Sequence, residues 1–180
     1  MENPKNFFTD QESYQLVIVE SPYSGDIQAN LDYLDCCIHD CKKRGEGGLA
    51  THLLYTKTPF YGHVADSPPD GMTAGRIWCC KLGTQGWRQI ASKAVFYLDR
   101  GMSQGMMDAL EYYQSIQFPV EFRKFNLTVE ELEDYFRVKK ISPPLAKTIS
   151  DTEWLQKDIS QTWEIKKDDG KLIFYLSEKK

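Results

Sequence analysis

The sequence predicts an α/β domain: a Rossmann-like parallel sheet flanked by helices, with a C-terminal helix and β-hairpin appendage. Three observations carry this. Residues 14–20 and 94–98 are apolar runs rich in β-branched and aromatic side chains without polar alternation, the pattern of strands covered on both faces. Each runs into a loop containing glycine and serine and then into an amphipathic helical pattern, as in a wound α/β sheet. The chain has 180 residues, 41% hydrophobic and 27% charged, which supports one domain with a sizeable core and disfavours global disorder.

The first strand stops at Ser21-Pro22, where proline removes a ladder donor. Ser24-Gly25-Asp26 is turn chemistry, and Asp26 is placed to cap a helix. Ile27, Leu31, Leu34, Ile38 and Cys41 recur at spacings of three and four, predicting a helix over 27–44 with these residues inward. Lys42, Lys43 and Arg44 suit its last turn and Gly45 its stop. Residues 47–56 stay ambiguous: Gly47-Gly48 reads as a loop, and Leu53-Leu54-Tyr55 is a short apolar run. Residues 57–70, with Pro59, Pro68 and Pro69, read as a long loop of the kind that is often functional. A helix is expected over 71–82 with Met72, Ile77 and Trp78 inward. The second strand, 94–98, ends in a loop over 99–105. A helix over 104–115 and a short strand over 119–123 come next. Thr128 and Glu131 have capping-box spacing and open a helix to about Arg137. Pro143-Pro144 breaks the chain, 151–160 suits a short helix, and Asp168-Asp169-Gly170 joins two strands of a hairpin. The expected division is a core over 1–125 and an extension over 126–180 that packs on the core or on another subunit, which leaves a homo-oligomer open.

Net charge is −4, so a general nucleic-acid binder is disfavoured, because it needs a basic face to displace counterions. No apolar run approaches the roughly 20 residues of a membrane span, and the first twelve residues lack a signal-peptide core. A cytoplasmic protein without membrane attachment is expected. The five cysteines, Cys36, Cys37, Cys41, Cys79 and Cys80, suit neither a secreted disulfide framework nor a closed four-ligand zinc site. They are expected to be reduced and metal-free.

In wound sheets the loops after the strands gather along the carboxyl edge, where ligands bind. This brings together the loops at 21–26 and 99–105. The first offers the hydroxyls of Ser21, Tyr23 and Ser24, a close approach at Gly25, Asp26, and amides at a helix start that favour phosphate; it also reads as an ordinary capped turn. It carries neither a dinucleotide fingerprint nor a Walker loop. Asp99, directly after a buried strand, either holds ribose hydroxyls or caps its turn. Ser103 and Gly105 complete the second loop. Asn30 either reaches back to the first loop or faces solvent. His52 either meets a ligand or is structural. Aromatic residues from Tyr55 to Trp87 supply base-stacking candidates.

Several short motifs occur in order: Val19-Glu-Ser-Pro-Tyr-Ser-Gly-Asp26 with Asn30, Arg44-Gly-Glu46, Ala50-Thr-His-Leu-Leu-Tyr-Thr56, Gly71-Met-Thr-Ala-Gly-x-x-Trp78, Asp99-x-Gly-x-Ser-x-Gly-Met106 and Val120-Glu-Phe-Arg123. Together they resemble a family of small, functionally uncharacterised phage and bacterial proteins. That family in turn resembles, distantly, the nucleoside 2-deoxyribosyltransferases. The resemblance implies a Rossmann-like fold and a pocket for a nucleoside or nucleotide. It also implies a glutamate nucleophile on the helix after the Ser-x-Gly loop. Here that position falls on Ala109, with Asp108 beside it. Glu111 lies two residues on, about 200° around a helix.

The missing nucleophile favours binding without turnover. One expectation is a nucleotide-binding protein of phage type that sequesters a signalling nucleotide of host defence, in the host cytoplasm. The alternative is an enzyme cleaving or transferring an N-glycosidic bond, with Asp99 or Asp108 as its carboxylate. A third reading is an interaction module acting through the tail hairpin. No cofactor is expected. A carboxylate facing the pocket beside the 21–26 loop would separate the first two.

Overall fold

A computed structural model of the chain describes residues 15–55, 74–141, 143–150, 163–168 and 171–176. Strand β1 (Gln15–Glu20) leads into helix α1 (Ile27–Lys43), strand β2 (Glu46–Leu49) and short helix α2 (Thr51–Tyr55). Helix α3 (Ala74–Trp87), strand β3 (Lys93–Tyr97), helix α4 (Gln104–Ser115) and strand β4 (Val120–Lys124) come next. Helix α5 (Val129–Glu133) continues as a π-helical turn over Asp134–Val138, before strand β5 (Lys147–Ile149) and the hairpin of β6 (Trp163–Asp168) and β7 (Lys171–Leu176).

The main sheet has the order β2-β1-β3-β4-β5. Its first four strands are parallel, and β5 runs antiparallel against β4. This is the predicted α/β class, a mostly parallel Rossmann-like sheet flanked by helices. The β6–β7 hairpin forms a separate two-stranded sheet.

Side chains alternate across the sheet and build two cores. Val17, Val19, Val95 and Tyr97 pack against Tyr33, Leu34, Cys37 and Cys41 of α1 and Leu132 of α5. Ile18, Ala94, Phe96 and Phe122 pack on the opposite face against Met106, Leu110 and Tyr113 of α4. The order places a topological switch between β1 and β3, with a crevice outside their carboxyl ends.

Four local expectations differ. The buried face of α1 is rotated from the Ile27/Leu31 stripe and includes Asn30, Asp32 and Asp40, because those side chains find polar partners inside. Gly47-Gly48 is strand, not loop. A Cβ at Gly48 would lie 3.1 Å from Ile38 Cδ1 and 3.2 Å from both Cys41 Cβ and Val19 Cγ2, so the missing side chain lets α1 close on β2. Strand β5 was not foreseen. Nor does the expected boundary at 125–126 separate the sheet from the later chain: β5 extends it, Leu132 and Ala146 enter the core, and the Ala146 amide donates to Asp40 Oδ1 at 2.9 Å. The Thr128/Glu131 capping box forms as expected. Residues 56–73 and 151–162, which hold the expected long loop, Met72 and the short tail helix, lie outside the described residues.

Candidate ligand-binding site

Outside the carboxyl end of β1 lies a cavity of about 480 Å³. Its floor is Glu20 and Ser21, where β1 ends. Tyr23 and Ser24 come from the loop after that strand, Thr51 and His52 from α2, and Cys80, Lys81, Thr84 and Gln85 from α3. The start of α4 closes it with Ser103, Gln104, Gly105 and Met106, and then with Asp108, Ala109 and Tyr112 one and two turns on. Ser103 caps α4 by accepting from the Met106 amide at 3.4 Å.

A chain of buried polar groups runs along the floor. Tyr113 Oη donates to Glu20 Oε1 at 2.7 Å. Thr84 also hydrogen-bonds Tyr113, and Thr84 and Thr51 share their hydroxyls at 3.4 Å. Ser21 Oγ lies 3.3 Å from His52 Nε2, and the Tyr23 ring tilts against His52 with centroids 5.9 Å apart. Burial pushes the Glu20 carboxyl up to about 7, with the Tyr113 hydroxyl pulling partly back. Burial also pushes the His52 imidazole down to about 4, so it is neutral at pH 7. At the rim, Asp108 accepts from Gln104 Nε2 at 2.8 Å and faces Lys81 Nζ at 3.5 Å.

Of the residues expected in the site, Ser21, Tyr23, His52, Ser103, Gly105 and Asp108 line the cavity. Gly25, Asp26, Asn30 and Asp99 do not; they build the loops around it. Gly25 takes φ +90° in the turn. Asp26 caps α1 through the Ala29 amide at 3.2 Å. Asn30 reaches back, donating to the Tyr23 and Ser24 carbonyls at 3.0 and 2.9 Å, and its Oδ1 accepts from Arg100 Nε at 2.8 Å. One buried amide thus ties the first loop to the second. Asp99 turns away and accepts from Tyr33 Oη at 2.8 Å and from the Phe125 and Asn126 amides at 2.9 and 3.1 Å. It fixes the chain leaving β4 instead of presenting a carboxylate to the cavity.

Glu20 was missed, with Thr51, Lys81, Thr84 and Tyr112. The signal for Glu20 was present: one acid closing an otherwise apolar strand, the argument applied to Asp99. Among the described residues no group of three or more His, Cys, Asp and Glu is placed to hold a metal ion, and Cys36, Cys37, Cys41 and Cys80 are not in disulfides.

Two further motifs meet outside the cavity lining. Arg123, almost wholly buried, clamps Glu46 with two bonds of 2.8 Å and Glu121 with one of 2.7 Å. Tyr97 Oη donates to Asp40 at 2.7 Å, and Arg44 Nε to the same carboxylate at 2.8 Å. Lys93 bridges Glu46 and Glu121. Three carboxylates and three cations therefore lock α1, β2, β3 and β4 together. Arg44-Gly-Glu46 and Glu121-Phe-Arg123 are framework, not ligand site.

The molecule is thus a doubly wound α/β domain with a cavity of mixed polar and apolar lining at its β1/β3 switch point. The sequence model of the family described as "Domain of unknown function (DUF7768)" matches residues 15–123, more than half of the chain, and the chain belongs to that family. The match runs from the first residue of β1 to Arg123. No curated protein and no solved structure matches.

Proposed function

We propose that the cavity binds a nucleoside or nucleotide and holds it without turnover, as a protein that sequesters a signalling nucleotide would. The observation that carries this reading is the mixture of groups at the switch point. Tyr23 and Tyr112 offer ring surface for a base, while Ser21, Thr51, Thr84, His52 and Glu20 offer hydrogen-bonding atoms for its edge or for a ribose. The amino end of α4 is favourable for an anionic group. A volume of about 480 Å³ lies within the range of roughly 300–1,000 Å³ usual for small-molecule sites. Ala109 supports retention over chemistry: where the resemblance implies a nucleophile, the cavity wall carries a methyl group. In a phage setting, retention of a host signal would serve anti-defence.

The test is calorimetric titration of the full chain with ribonucleosides, deoxynucleosides, their monophosphates and cyclic nucleotides. Saturable binding of at least one is expected, with the ligand recovered unaltered. No binding across the panel at high concentration would remove the reading.

Glu20 favours a second reading, cleavage or transfer at an N-glycosidic bond, since a carboxylate does line the cavity beside the 21–26 loop. Chromatography of nucleosides incubated with the protein tests it. Release of free base that disappears in Glu20→Gln would put this reading in place of the first.

A further inference from the structure

The floor of the cavity holds a carboxyl group with one oxygen in use. Tyr113 Oη donates to Glu20 Oε1. Oε2 receives no hydrogen bond from a described residue. Glu20 lines the cavity, and Oε2 is the oxygen that Tyr113 leaves unengaged. The other carboxylate on the cavity, Asp108, is already engaged by Gln104 and Lys81.

We infer that Glu20 is the specificity-determining residue of this cavity: its open oxygen Oε2 accepts a hydrogen bond from a donor on the ligand, a sugar hydroxyl or a base amino or ring N–H group. The inference rests on the nucleoside or nucleotide reading above and names the part of such a ligand that sits deepest. A phosphate has no place beside Glu20, because the two charges would repel across a water-poor floor. Any phosphate is left for the start of α4.

The chemistry is asymmetric, and that makes it testable. A carboxylate accepts at both oxygens, whereas a glutamine amide accepts at one and donates at the other. In Glu20→Gln the amide oxygen takes over the bond from Tyr113. The NH2 group then faces the cavity and meets the ligand's donor with a donor. The shape of the floor stays the same while its polarity inverts.

The ionisation of Glu20 adds a second readout. Tyr113 of α4 bonds it directly, and the titratable groups that share its cavity are Tyr23 from the first loop, His52 from α2, Cys80 and Lys81 from α3, and Asp108 and Tyr112 from α4. His52, held down to about 4, stays neutral above pH 6. The Glu20 carboxyl, at about 7, changes charge between pH 6 and 8. A donor on the ligand prefers the ionised form. Binding therefore tightens as pH rises through that interval and releases a proton.

The experiment is calorimetry of the full chain, wild type and Glu20→Gln, at about pH 6 and about pH 8. The probes are adenosine, guanosine, cytidine and uridine, their 2′-deoxy forms and their 5′-monophosphates. Thermal melting checks that the variant folds. The wild type should bind at least one probe more tightly at the higher pH. Glu20→Gln should bind that probe about ten- to a hundredfold more weakly, with no pH dependence. If the 2′-deoxy form loses the same factor on the wild type and nothing more on the variant, the donor is the ribose 2′-hydroxyl. If ribo and deoxy forms respond alike, the donor is on the base or elsewhere on the sugar. A folded Glu20→Gln protein that binds every probe as the wild type does overturns the assignment and leaves the nucleoside reading standing. Failure of the wild type to bind any probe removes that reading, and the assignment with it.

Discussion

Glu20 and His52 sit on the same cavity and are displaced in opposite directions by the same cause, loss of water. Both displacements are linked to folding. In the unfolded chain Glu20 gives up its proton near its ordinary 4.5, but in the fold it keeps it to about 7. The folded state therefore holds the extra proton between those values, and stability falls as pH rises through them. His52 in the unfolded chain takes up a proton below 6.5, but in the fold it refuses one until about 4. Stability then falls as pH drops through that window. Where the windows overlap, the two slopes oppose each other and flatten the profile. Glu20→Gln removes one of them. Measured by urea unfolding, that variant should gain stability relative to the wild type as pH rises from about 5 to about 8, by on the order of 3 kcal/mol. A constant difference across the range would show that Glu20 is not perturbed by burial. Asn30 and Asp99 teach a different lesson at this scale. Both had two readings from the sequence, and both spend most of their hydrogen bonds on backbone, with one side-chain partner each, Arg100 and Tyr33. Only the placement of the Tyr23, Ser24, Phe125 and Asn126 main chain could decide that, and it comes from the folded chain.

Among the elements, β1, β3, α1 and α4 were legible because apolar runs and helical periodicity are local properties. So were the caps: Asp26, Ser103 and the Thr128/Glu131 box need only their own next turn. Strand β2 was not. Glu46-Gly47-Gly48-Leu49 lacks every strand preference, and it becomes a strand because α1 presses on it. Gly48→Val tests this. Valine is a better strand former, by at most about 1 kcal/mol. Its Cβ, however, would meet Ile38 at 3.1 Å and Cys41 and Val19 at 3.2 Å. Cys41 Cβ is fixed to the helix backbone and Val19 is a stiff β-branched residue, so neither can give way. Overpacking of this kind costs about 1–3 kcal/mol, and the urea midpoint should fall accordingly. A midpoint equal to or above that of the wild type would mean that α1 does not rest on β2 as described. Strand β5 was illegible for a related reason: Lys147-Thr148-Ile149 is short and has no turn signal, and it pairs only because β4 offers an edge.

For the whole molecule, the two halves of the sequence signal separate. The motifs around 20–26, 50–52 and 103–106 face one another across the cavity. Those at 44–46 and 121–123 form the buried ionic lattice around Arg123. Removing one partner from such a lattice strands a charge and costs about 3–5 kcal/mol, so residues there can be indispensable without touching a ligand. Burial pushes the Glu46 and Glu121 carboxyls up, but the nearby Arg123 and Lys93 outweigh it and hold both below their ordinary value, which keeps the lattice ionised at neutral pH. The carboxyl-edge location of the site was legible because it comes from the wound topology alone. Its chemical floor was not, since Glu20 read as the end of a strand. The central claim is that this cavity is where a nucleoside or nucleotide binds. The measurement that meets it most directly is parallel calorimetric titration of the wild type and of Ala109→Trp, in which an indole fills the cavity from α4. The account predicts saturable binding to the wild type, and binding at least about tenfold weaker to a variant that still unfolds cooperatively. A folded Ala109→Trp protein that binds as the wild type does, or a wild type that binds none of the panel, would contradict it.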